Sequence, residues 1–145
     1  MHNLQIVPLK ANDIDQCESI LRALPNWFGI EESIVEYVRD LHSLDGFVAK
    51  IAGHVVGFVG LKRYGERSVE INIIGVHPNF RNQGIGSKLL NEVEQAETGT
   101  TTKLLHVKTL GPTHLDPHYV ETRQFYEAKG FIPLEENALW GDVNP

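Results

Sequence analysis

The chain has 145 residues, 13 basic against 19 acidic side chains for a formal charge of −6, and 41% hydrophobic residues. That length suits one domain able to remove about two-thirds of its unfolded surface from water, and the acid excess disfavours nucleic acid as the main partner while leaning toward cationic ones. Cys17 stands alone and cannot form an internal disulfide, no basic start leads into an apolar run, and no stretch approaches the roughly 18 apolar residues of a membrane span, so a cytoplasmic protein without secretion or membrane insertion is expected.

Leu4 to Leu9 reads as a first strand, and Asn12 or Asp13 can cap a helix with Ile14, Cys17, Ile20, Leu21 and Leu24 on one face, ended by Pro25. On that face Cys17 reads as a small buried hydrophobe rather than a nucleophile. The segment PNWFGIEES puts Trp27 and Phe28 in a loop, where they either line a pocket or plug the core. A second helix follows on Ile34, Tyr37, Val38 and Leu41. Gly46 to Ile51 and His54 to Tyr64 flank an Ala52-Gly53 turn as a hairpin, and a Gly65-Glu66 turn leads to a further strand. In it Val69, Ile71 and Ile73 alternate with Glu70 and Asn72, until Ile73, Ile74, Gly75 and Val76 break the alternation. The break predicts a bulge near Gly75 and, because glycine lets another backbone or a ligand come near, a close approach there.

After His77-Pro78, the turn RNQGIG opens a helix whose Ile85, Leu89, Leu90 and Val93 recur at helical spacing. The first turn of a helix carries N–H groups without internal partners, and Gly84 and Gly86 leave them open to a ligand. Arg81 and Lys88 flank this end, where the helix dipole disfavours cations unless an anion lies between them. The stretch therefore predicts a phosphate site; the competing reading is an ordinary helix capped by Asn82. The order Gly86-Ser87-Lys88 fails a nucleotide P-loop, and Leu89 stands where a dinucleotide fingerprint has its third glycine.

The helix fades at Glu97-Thr98-Gly99-Thr100, Lys103 to Leu110 reads as the next strand, and GPTHLDPHY as a loop. His114, Asp116 and His118 alternate there, but their spacing matches no helix-borne zinc motif and Pro117 stiffens the segment, so no metal is expected. His118 is a reserve base. The text YVETRQFYEAKGF gives a last helix carrying Tyr119, Thr122, Phe125 and Tyr126, ended by Gly130 before a strand from Phe131. With no repeat, low-complexity tract or linker, residues 1–145 read as a single domain.

A strand, Val76-x-Pro78, then Arg81-x-x-Gly84-x-Gly86 and an amphipathic helix, with Phe125-Tyr126 and Gly130-Phe131 beyond, resembles the GNAT superfamily of acetyl-coenzyme A-dependent N-acetyltransferases. The resemblance implies an α+β fold (α/β by some schemes), a GNAT-like domain with a mixed, mostly antiparallel central sheet flanked by helices and splayed between its fourth and fifth strands. It implies acetyl-CoA as co-substrate, with the pyrophosphate on the main-chain N–H groups of Arg81, Asn82, Gln83, Gly84, Ile85, Gly86 and Ser87 and the pantetheine arm along Ile74, Gly75 and Val76. Tyr119 stands where the family usually has Asn, and its hydroxyl can replace that hydrogen bond to the pantetheine; Thr122 stands where Ala is usual.

The implied reaction is direct attack by a primary amine of a small molecule or protein, without a covalent acyl-enzyme. Glu70 occupies the place of a glutamate base found in several members, and Tyr126 that of a Tyr near the coenzyme sulfur which can protonate the thiolate. The N–H of Ile74 or Val76 would serve the oxyanion. The competing readings are a solvent-facing Glu70 and a core aromatic at Tyr126, and the alternative function is a non-catalytic acyl-CoA-binding or sensing module. The ending WGDVNP departs from the usual last strand, so the edge it would leave on Lys103 to Leu110 is expected to be covered by residues after Leu134 or by a second subunit, a homodimer being favoured.

Overall fold

The computed structural model describes residues 3–25, 28–98, 104–107 and 124–125. Two compact units divide the chain, Met1–His106 and Val107–Pro145. Of the second, the described residues beyond the strand end are the helical pair Gln124 and Phe125, inside the helix expected from His118.

Strands β1 (Leu4–Pro8), β2 (Asp45–Ile51), β3 (His54–Tyr64) and β4 (Ser68–Val76) pair antiparallel in chain order, and β5 (Leu104–Val107) lies beside β4. Strand β3 is buried from Val55 to Leu61, which explains its unbroken apolar run: helices cover both sides of it. Helices α1 (Ile14–Arg22) and α2 (Glu31–Leu41) lie on one face, where Ile14, Cys17, Ile20, Leu21, Ile34 and Leu41 pack with Val48, Phe58 and Ile73. Helix α3 (Ile85–Glu97) lies on the other: a Cβ added to Gly57 would come within 3.0 Å of Ile85 and 3.4 Å of Leu89. At the far end of that face the Arg63 guanidinium holds the Glu97 carboxylate by two bonds of 2.9 and 3.0 Å. This is the expected α+β arrangement of a mostly antiparallel sheet between helices.

The start of α1 is tied to the sheet by a buried carboxylate. Asp13 Oδ2 accepts from the Lys10 N–H at 3.1 Å, while Oδ1 meets Lys50 Nζ of β2 at 3.0 Å. One turn on, Cys17 is fully buried; burial first, and the Asp13 charge second, push its thiol up to about 12. It has the inert character expected of it. Phe28 meets Tyr37 edge-on, with ring centroids 5.8 Å apart, and both pack on the α1/α2 core. Phe28 thus plugs the core, and Trp27 lies outside the described residues.

The expected bulge near Gly75 is found three residues earlier. Gly60 pairs with Ile73 and Leu61 with Ile71, which leaves Asn72 as the extra residue of β4. Gly75 has another reason to be glycine: a Cβ there would stand 3.1 Å from the Phe58 ring and 3.4 Å from Ile20. The side chain it lacks makes room for the core.

Candidate active site

An extra residue in a strand turns over every side chain beyond it. Ile73 and Gly75 face α1 and α2, as the contacts a Gly75 side chain would make with Phe58 and Ile20 demonstrate. Without the bulge, Glu70 would point to the opposite face, against α3. With Asn72 inserted, Val69 and Ile71 pair with Arg63 and Leu61 on the α3 side, and Glu70 pairs with Lys62 on the α1/α2 side. Glu70 is buried there at 5% exposure, so it is no solvent-facing strand residue. Its carboxylate is within electrostatic reach of Tyr37 on α2: the phenol is raised above its ordinary range by burial first, then by Glu70, Asp40 and Glu36.

The main chain of β4 sorts the three residues expected along the pantetheine. The His77 N–H donates to the Val56 carbonyl at 2.8 Å, and from that pair the antiparallel ladder alternates. Gly75 therefore exchanges its bonds with Phe58 of β3, whereas the N–H and C=O groups of Ile74 and Val76 point away from β3. Of the stretch Ile74 to Val76, two residues offer main-chain groups on the far side of the strand and the middle one does not.

Past Val76 the chain turns sharply. Asn79 donates its N–H to His77 Nδ1 at 3.1 Å across a single helical turn at Pro78–Phe80, so His77 has a local structural task. Asn82 and Gly84 then both take positive φ, 61° and 78°. Gly84, not Asn82, is the N-cap of α3, and no side chain caps it. The first bond within the helix runs from the Lys88 N–H to the Gly84 carbonyl at 3.0 Å, so the N–H groups of Ile85, Gly86 and Ser87 precede any intrahelical acceptor. A Cβ at Gly84 would meet nothing within 4 Å, so the approach over it is open. Arg81, Asn82, Gln83 and Lys88 surround this end and are exposed. An open glycine, three outward N–H groups and flanking cations fit a pyrophosphate. Ile85, Leu89, Leu90 and Val93 are buried, which fixes the helix that presents them.

Tyr119, Tyr126, His114, Asp116 and His118 lie outside the described residues. Among the described residues no three His, Cys, Asp or Glu side chains group as metal ligands, and no helix is long and apolar enough to cross a membrane. In the sequence Tyr37 belongs to the apolar face of α2. A phenol among Ile34, Val38 and Leu41 was the available signal, and its nearness to Glu70 depends on a register that no local pattern encodes.

Comparison with known proteins agrees with this layout. The model of the acetyltransferase (GNAT) domain matches residues 43–133, more than half of the chain. An uncharacterized N-acetyltransferase of Chlorobaculum tepidum is 36% identical over 63 residues, which are 43% of this chain and 37% of that protein, so the match spans well under half of the relative. Among solved structures, a GNAT-family protein from Desulfovibrio desulfuricans superposes with a TM-score of 0.78 at 20% identity, over 92% of this chain and 87% of the other. The aminoglycoside N-acetyltransferase AAC(6')-Iy, solved in complex with CoA, superposes with a TM-score of 0.71 at 15% identity, over 99% and 97%. At such identities the likeness is one of fold, and it is the family model, matched across the glycine-opened helix and the strand before it, that settles membership: the chain belongs to the GNAT acetyltransferase family.

Proposed function

We propose that the chain transfers an acetyl group from acetyl-CoA to a primary amine of a small molecule or a protein, by direct attack of the amine. The observation that carries this reading is the uncapped N-terminus of α3, opened by Gly84 eight residues beyond the end of the strand that buries Glu70. Bound acetyl-CoA would supply a thioester whose carbonyl carbon a neutral amine can attack. The N–H groups from Asn82 to Ser87 would hold the pyrophosphate, that of Arg81 being engaged by the Pro78 carbonyl at 3.4 Å, and those of Ile74 and Val76, on the side of β4 away from β3, would orient the pantetheine arm and serve the oxyanion. Glu70 would take the proton of the amine, directly or through water. Tyr126 would return one to the thiolate, and Tyr119 would bind the pantetheine. The similarly folded aminoglycoside N-acetyltransferase AAC(6')-Iy was solved with CoA and with the bisubstrate analog CoA-S-monomethyl-acetylneamine, and the charge of −6 favours a cationic acceptor here.

Thiol release from acetyl-CoA, measured against polyamines, aminoglycosides, amino acids and peptide N-termini, tests the reading. At least one class should be acetylated. Glu70→Gln should then lower turnover most at low pH, where few amines are already neutral, and recover as pH rises. Release with none of these amines would favour the coenzyme-binding module instead, and an unaltered pH profile in Glu70→Gln would remove the base role.

A further inference from the structure

The β2/β3 hairpin carries a second bulge, and the start of α1 is fastened to it. In β3, Gly57 pairs with Ala49 and Val55 with Lys50, which leaves Val56 as an extra residue opposite β2. A bulged residue is released from the regular ladder, so its position depends on other contacts. Two side chains at the start of α1, three positions apart and therefore on one side of the chain, supply them. Asp13 Oδ1 meets Lys50 Nζ on β2 at 3.0 Å, and Gln16 Oε1 accepts from the Val55 N–H on β3 at 2.9 Å. Each strand is thus held at the register shift itself. Resting on the coenzyme site proposed above, we infer that Gln16 is a positioning residue for that site, acting through the bulge at Val56 and the main chain of His77.

The bulge is also where β4 leaves β3. The last pair of their register is Gly57 with Val76, and one residue on, the His77 N–H donates to the Val56 carbonyl at 2.8 Å. His77 is then held at both its other groups, its ring Nδ1 accepting from the Asn79 N–H at 3.1 Å and its carbonyl from the Phe80 N–H at 2.9 Å. On the other side of the bulge Gly57 lies under the start of α3, where an added Cβ would stand 3.0 Å from Ile85 and 3.4 Å from Leu89. A shift of the backbone at Val55 and Val56 therefore moves His77 and the support beneath Ile85 together. Those are the two ends of the segment that carries Asn82 and Gly84, and their separation sets how the first-turn N–H groups of α3 face a pyrophosphate. Val55 is 7% exposed and Gln16 half-buried, so an N–H that lost this acceptor would be left nearly dry, where an unpaired donor is costly. The backbone would turn to pair it elsewhere, and the coenzyme site would turn with it.

Gln16→Met keeps the length of the side chain and removes the oxygen, whereas Gln16→Glu keeps an oxygen at the same reach. Calorimetry with coenzyme A should show a Kd raised about fivefold or more in Gln16→Met and within about twofold of the wild type in Gln16→Glu. A merely structural Gln16 would lower the Tm and leave the coenzyme Kd unchanged, and that result overturns the role. Equal weakening by Gln16→Glu would overturn it too, since the acceptor oxygen would then not be the cause. A second measurement needs no ligand: amide hydrogen exchange of the free protein should quicken at His77 in Gln16→Met while the amides of α2 keep their wild-type rates. Unchanged protection at His77 would break the link between Gln16 and the end of β4. A wild type that binds no coenzyme A overturns the coenzyme site itself and this role with it, whereas wild-type binding with an unaffected Gln16→Met overturns the role alone.

Discussion

Cys17 is a nucleophile by composition and a hydrophobe by position. Fully buried beside the Asp13 carboxylate, its thiol is pushed up from 9.0 to about 12, so at neutral pH the folded protein holds almost no thiolate, the form that reacts. An aromatic disulfide reagent should therefore label Cys17 in the native protein no faster than the protein opens, and at once in denaturant. The same shift sets a sign for stability. A thiol that ionises later when folded contributes fully below pH 9.0, and that contribution drains away as pH rises toward about 12. Native labelling as fast as that of the unfolded chain, followed at neutral pH by absorbance, would contradict the burial. At this scale the sequence was informative wherever a residue's surroundings are its own helix face, as for Cys17, and uninformative for Glu70, whose surroundings are set by a partner strand.

Among the elements, α3 was the most legible. Its apolar spacing, its glycines and its neighbouring cations are all local, and each appears where expected, although the N-cap is Gly84 rather than Asn82. Because the first-turn N–H groups of Ile85, Gly86 and Ser87 point outward, Gly86→Asp sets a negative charge where the pyrophosphate would lie. Calorimetry should detect no coenzyme A binding to the variant, while its circular dichroism stays that of the wild type, since a carboxylate in the first turn of a helix suits the dipole. Unchanged affinity in the folded variant would place the coenzyme elsewhere. Strand β4 was legible as a strand but not in its phase. The run Val69, Ile71, Ile73 reads as one face, yet Val69 and Ile71 turn to α3 and Ile73 to α1 and α2. Apolar residues suit both faces of a covered sheet, so the pattern conceals the inserted residue; only the pairing with β3 reveals it.

For the molecule as a whole, the bulge at Asn72 couples the two helical layers through one strand. Deleting Asn72 would force a choice: either Glu70 turns toward α3, placing a carboxylate among Leu89 and Val93, or Ile73 and Gly75 leave the core of α1 and α2. Either outcome should cost about 3 kcal/mol or more, whereas Asn72→Ala, which keeps the residue count, should cost under about 1 kcal/mol. Urea midpoints of the two variants measure the difference, and similar midpoints would mean that the bulge does not set the phase. The order of strands and helices was readable from hydrophobic period and turn residues. The face that Glu70 takes was not, because it is set by the register of β4 on β3. The N–H groups at Ile74 and Val76, on the side of β4 away from β3, and those at the start of α3 have one more consequence. Contacts made by the main chain do not depend on which side chain a position carries, so such a site can persist while most of its letters drift. What must stay constant is backbone shape: glycine where φ is 78° at Gly84, and a residue that accepts 61° at Asn82. The signature such a site leaves in a sequence is thus made mainly of residues chosen for the bends they permit, with few chosen for what they touch.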